Sequence, residues 1–224
     1  LKAMSDAIVI SKITHVDHRC IASCAAISVT VSLILQSHAV FMQQVLEVES
    51  QQQQQKTGDE KSCFFEKQQK VLAKMIKENV LESIVQIAHD CSSHIIQTAD
   101  ELKELHKYMF AQDFEVLELD EGSTIGYTFK TMGSAFVALR KLQKKLADIT
   151  ATSGWTSSTL QHAFAEVILE LTMEAGDADT NAAVAGAGMG RVVGYENLPA
   201  EWIKDMCHFD WFNNRVEMFI KALN

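Results

Sequence analysis

Gly176-Asp177-Ala178-Asp179-Thr180-Asn181-Ala182-Ala183-Val184-Ala185-Gly186-Ala187-Gly188-Met189-Gly190 reads as a turn that opens a helix with almost no side-chain bulk. A helix this slender is held by neighbours that approach closely, not by large side chains of its own. The stretch therefore predicts a helix from about Ala178 to Val193 at the centre of a bundle, gripped on several sides. Its entrance carries two carboxylates, Asp177 and Asp179, followed by the Thr180 hydroxyl. One reading is an acidic first turn, stabilised by capping and by the helix dipole. The other is a divalent-cation site, since hard ions such as Mg²⁺ take clustered oxygens and an Asp-x-Asp-Thr turn supplies up to three. Spacing leaves both open.

The segments around it repeat one period. Val71, Leu72, Met75, Ile76, Val80, Ile84 and Ile87 recur at helical spacing after Phe64. Ile95, Ile96, Ala99, Leu102 and Leu105 form a second run. A third, Thr131 to Ile149, uses Met132, Ala135, Phe136, Leu139, Leu142 and Leu146, with Arg140, Lys141, Lys144 and Lys145 expected outside. A fourth runs from Ser157 to Met173 and a last amphipathic one from about Trp211 to Leu223. No sustained alternation appears, so the fold class is all-α, a compact multi-helix bundle. One proline and ten glycines agree with long helices and few turns. Residues 49–62, with five consecutive glutamines, are too polar to bury and read as an insertion in a single domain spanning residues 1–224.

The net charge of −9 argues against a nucleic-acid surface, which needs clustered Lys and Arg. Cys20 to Leu46 holds no charged side chain and is long enough to span a bilayer. Its Ser, Thr, Gln and His residues would need partners in hydrocarbon, which favours a buried helix of a soluble bundle. Five unpatterned cysteines read as reduced thiols of a cytoplasmic protein.

Several constellations are set aside. Gly186, Gly188 and Gly190 lack the preceding strand and spacing of a dinucleotide loop, and Arg191 stands where the third glycine would fall. His15, His18, Cys20 and Cys24 lack the second distant pair of a zinc site. No Gly-x-Ser-x-Gly elbow is present.

Gly176-Asp177-Ala178-Asp179-Thr180, the Ala/Gly helix, Gly194-Tyr195 and Leu198-Pro199-Ala200-Glu201-Trp202 together resemble the C-terminal signature of the ADP-ribosylglycohydrolase family. Ile13-Thr14-His15 with Asp17 is similar to its Thr-His segment, and Gly126-Tyr127 leading into Thr131–Phe136 to its mid-chain helix entry. The family's earlier Gly-Asp-Ala-type segment and Thr-Asp-Asp block have no counterpart in order. Thr57-Gly58-Asp59-Glu60 follows the Thr-His segment, and Asp120-Glu121 comes too late.

The resemblance implies Mg²⁺-dependent hydrolysis of the bond between ADP-ribose and a protein side chain or small acceptor. It implies two Mg²⁺ ions, with Asp177, Asp179 and Thr180 as ligands, not as the general base. His15 and Tyr127 are implied to line the ADP-ribose cleft. A tyrosine needing one partner for its hydroxyl is an equally physical reading of Tyr127. With half of the family's metal ligands missing, the expectation is a fold incomplete at its N-terminus, with little or no turnover. The alternative is a non-catalytic relative, a pseudoenzyme or a structural protein like the lens crystallins.

Overall fold

A computed structural model describes residues 2–51, 60–152 and 154–223. Among them every regular element is helical: α1 (Lys2–Ser11), α2 (His18–Gln51), α3 (Glu60–Lys77), α4 (Val80–Ser93), α5 (Ala99–Met109), α6 (Thr128–Thr152), α7 (Ser157–Met173), α8 (Ala178–Val193), α9 (Ala200–Lys204) and α10 (Phe209–Leu223). Short 3₁₀ turns sit at Glu115–Leu117, Gly122–Thr124 and Tyr195–Asn197. The all-α expectation holds. The heart of the glutamine-rich insertion, residues 52–59, lies outside the described residues.

The central element is α6, and this corrects the expectation that the Ala-rich helix would be. Every residue from Met132 to Leu139 is buried, and Leu142 and Leu146 continue the buried stripe. A helix buried on all sides must be surrounded, and α6 packs against α2, α3, α4, α5, α7 and α8. Each of its large side chains gains about 1.5–3 kcal/mol by leaving water. The Ala-rich helix lies alongside α6, α7 and α2. Its buried side carries Ala185, Gly188 and Met189, while Ala183 and Ala187 remain exposed. A methyl group added at Gly188 would stand 3.6 Å from Leu139, so the two helices already meet at van der Waals distance.

Two of the periodic runs are divided differently from their sequence reading. The run after Phe64 breaks at Asn79, which adopts a left-handed conformation (φ 51°) between α3 and α4. Asn tolerates that geometry better than most residues, and the polar Lys77-Glu78-Asn79 triplet has no apolar anchor to carry the helix through. Ile95 and Ile96 lie in the connection, and α5 begins only after Thr98, whose side chain accepts from the Glu101 N–H at 3.3 Å. By contrast, α7 and α8 coincide with their expected spans. Thr156 and Thr159 form a reciprocal cap that fixes the start of α7.

The basic face expected outside α6 is half folded inward. Arg140 is 12 % exposed and donates to the carbonyls of Met109 (2.8 Å) and Ala111 (3.1 Å) while pairing with Glu82. Lys141 bridges Asp113 and Glu170. Both side chains tie the connection after α5 to the bundle.

Helix α2 is long and apolar enough to cross a membrane. Its N-terminal half buries Ile21, Ala22, Ala25, Ala26, Val29 and Ile34, whereas Leu35, Val40, Leu46 and Val48 farther along are exposed. Helix α10 presents Trp211 (63 % exposed) and Phe219 (65 %) to solvent.

Candidate functional site

The three sequence segments singled out above meet at one end of the bundle. Asp17 stands at the start of α2: its Oδ1 accepts the Arg19 N–H at 2.8 Å, and both carboxylate oxygens hold the Arg19 guanidinium, at 3.0 and 2.7 Å. That pairing pushes the Asp17 carboxyl well below the ordinary range and the Arg19 guanidinium above its own. Arg19 then lies 5.9 Å from the centre of the Tyr127 ring, a cation–π contact. Beside it, His18 Nε2 meets Glu101 Oε2 at 2.7 Å, joining α2 to α5. The carboxyl of Glu101 is held down by its bond from Thr98 and by His18.

Tyr127 is the hinge of the arrangement. Its hydroxyl donates to Glu104 at 2.8 Å, and its ring packs edge-on against Tyr108 and Phe129. Burial, then the bond to Glu104, drive its pKa above the ordinary tyrosine value. The residue before it, Gly126 (φ 72°), carries the contact to the third segment. An added methyl group there would stand 3.7 Å from Asp177 Oδ2. Five residues beyond Gly126, Thr131 Oγ1 donates to Asn181 Oδ1 at 2.8 Å, so the first turns of α6 and α8 are stitched together.

The turn before α8 depends on Gly176. It has φ 66°, and a Cβ there would fall 2.0 Å from the Leu119 carbonyl oxygen. Only glycine permits both the conformation and the approach. Asp177 follows at the N-cap position, yet its side chain makes no capping bond to the helix backbone. Its Oδ1 instead accepts the Thr180 hydroxyl at 2.8 Å. Asp179 stands exposed in the first turn. All three oxygen donors thus occupy one turn at the positive end of α8, where the dipole favours negative charge. Among the described residues no three His, Cys, Asp or Glu side chains are grouped tightly enough to hold a metal. Asp177, Asp179 and Thr180 are hard oxygen donors of the type Mg²⁺ takes, and Asp177 is not consumed as a helix cap, so the residues present fit part of such a site.

His15 lies exposed in the turn between α1 and α2, its N–H bonded to the Ser11 carbonyl. The structure therefore joins Asp17, Tyr127 and Asp177 through Arg19 and Gly126, with His15 at the edge. Sequence reading missed Arg19, Glu101, Glu104 and Asn181. Arg19 had a visible signal, two residues after Asp17, and Asn181 follows the quoted Asp-x-Asp-Thr directly. The two glutamates of α5 are distant in sequence from the groups they meet, Glu101 by 83 residues from His18 and Glu104 by 23 from Tyr127, and had none.

The sequence profile of the ADP-ribosylglycohydrolase family matches residues 1–223. The chain belongs to the ADP-ribosylglycohydrolase family. Comparison with curated proteins gave no match, and neither did comparison with solved structures.

Proposed function

We propose that the chain acts on the linkage between ADP-ribose and a protein side chain or small acceptor, in a Mg²⁺-dependent manner. The observation that carries this reading is the Asp177 carboxylate. It stands at a helix N-terminus, makes no cap bond, is oriented by Thr180, and adjoins the Gly126–Tyr127 turn. A purely structural first-turn aspartate would spend its oxygens on the helix N–H groups.

In this reading Asp177, Asp179 and Thr180 hold the cation. When bound, Mg²⁺ would orient hydroxyls and water and stabilise developing negative charge. Three oxygens fall short of the six it takes, so water or further protein oxygens complete the shell. Tyr127 and His15 form the rim against which the ADP-ribose lies. Glu104 and Arg19 keep Tyr127 in place, which makes them positioning residues. A reducing compartment such as the cytoplasm suits the unpaired thiols of Cys20, Cys24, Cys91 and Cys207.

A second reading, a non-catalytic member of the family, draws on the absence of a three-carboxylate group among the described residues. Metal-assisted hydrolysis depends on fixed coordination, and small misplacements are costly to rate. An assay with ADP-ribosylated protein and Mg²⁺ separates the two. Turnover abolished by Asp179→Ala supports the hydrolase. Mg²⁺-dependent ADP-ribose binding without turnover supports the non-catalytic relative.

A further inference from the structure

Arg191 lies fourteen residues beyond Asp177, at the other end of α8. At about 1.5 Å per residue that is roughly 20 Å from the site described above. Here α2, α3, α7 and the end of α8 line a small cleft walled by Phe65, Leu72, Met75 and Leu160. The polar groups facing it are unusual in what they lack. The Arg191 Nε is shielded from solvent and has no hydrogen-bond partner. Burial pulls the guanidinium pKa down.

Asn197 is 1 % exposed. Its amide donates to the Val193 carbonyl at 2.8 Å, closing the end of α8, while its Oδ1 has no partner. His38 lines the same cleft and is biased to its neutral form by burial and by the Arg191 charge. Gln68 and the Glu196 carboxylate flank Gly194 at the rim.

A basic residue in the last turn of a helix is favoured by the dipole, which accounts for the charge of Arg191. It accounts neither for a shielded Arg191 Nε without an acceptor nor for a buried amide oxygen without a donor. Both are costly to leave unmade. The two orphans are complementary: one needs a negative oxygen and the other needs an O–H or N–H.

We propose that this cleft binds a compact oxyanion carrying its own hydroxyl, such as hydrogen phosphate or a small hydroxycarboxylate, with its charge on Arg191 and its O–H donated to Asn197 Oδ1. The apolar walls exclude water and strengthen the charged contact. The site is separate from the Asp177 turn and does not depend on its function.

Calorimetric titration of the full chain, with a metal chelator present, tests this with inorganic phosphate, lactate and acetate. Saturable binding of phosphate or lactate is expected, with acetate, which lacks the hydroxyl, weaker. The ion that binds identifies the source. Arg191→Gln should weaken binding at least about tenfold, the loss of one charge-assisted bond. Arg191→Lys, which keeps the charge but not the fork, should retain part of it. Asp177→Ala combined with Asp179→Ala should leave it unchanged. No binding of either hydroxylated anion overturns the proposal. So does unchanged affinity in an Arg191→Gln protein whose melting and circular dichroism match the wild type.

Discussion

The Thr180 hydroxyl donates to Asp177 Oδ1 across 2.8 Å, within one turn of α8, and the Asp177 side chain caps no backbone N–H of that helix. A carboxylate so placed contributes little to folding and is free to bind. Asp177→Ala should therefore change stability by no more than about 0.5 kcal/mol without metal. Thr156→Ala removes a reciprocal cap and should cost about 1–2 kcal/mol. Urea denaturation of the two variants in a chelating buffer makes the comparison.

Thr180→Ala should separate binding from folding in the same way. Its stability effect stays within about 0.5 kcal/mol. Loss of a group that orients or joins a metal ligand should weaken Mg²⁺ about 10–100-fold. Isothermal calorimetry with Mg²⁺ reads that change directly.

Gly176→Ala should be among the most destabilising single-methyl changes in the chain. The new Cβ would meet the Leu119 carbonyl at 2.0 Å with the backbone at φ 66°. Neither a rotamer change nor a flexible neighbour relieves a backbone clash, so a loss of more than about 2 kcal/mol is expected. Gly122→Ala, where nothing lies within 4 Å, serves as the near-neutral control. Thermal melting of both variants checks the contrast.

The Asp17–Arg19 pair sets a pH dependence. The folded-state carboxyl pKa lies below its unfolded value. The stabilisation is thus fully present above the ordinary aspartate value of about 4 and is lost as pH falls through the lower folded value. Asp17→Asn keeps a capping oxygen for the Arg19 N–H and removes only the charge. At neutral pH it should cost about 1 kcal/mol or less, because the pair is partly exposed. The two stability curves should converge in strong acid, which denaturation followed against pH will reveal.

Arg140 offers a test of the inward-folded basic face. Arg140→Ala leaves the Met109 and Ala111 carbonyls without their donor, and both residues are buried. A loss of about 2–3 kcal/mol is expected. Lys103→Ala, which removes a highly exposed pair with Asp100, should be close to neutral. Chemical denaturation midpoints distinguish them.

What was legible in the sequence was whatever depends on local periodicity or on a contiguous motif. The spans of α7 and α8 follow from apolar spacing and from the residues at their starts, and the Asp-x-Asp-Thr turn is visible because its donors are adjacent in sequence. The central position of α6 was less visible. Its basic residues mimic a solvated face, and only tertiary carbonyls and acids explain why Arg140 and Lys141 turn inward. The break at Asn79 was hidden because α3 and α4 share a compatible hydrophobic period. The partners of Tyr127 were invisible for a plainer reason. Glu104 and Arg19 come from other helices, and no local pattern encodes which helices will be neighbours.

The central claim, that the Asp177 turn and the Gly126–Tyr127 turn form one Mg²⁺-dependent ADP-ribose site, is tested most directly by titrating ADP-ribose into the chain with saturating Mg²⁺ and again in chelator. The account predicts measurable affinity with Mg²⁺ that is lost in chelator and in a protein carrying both Asp177→Ala and Asp179→Ala. ADP-ribose binding that is unaffected by chelator and by the double substitution would contradict it.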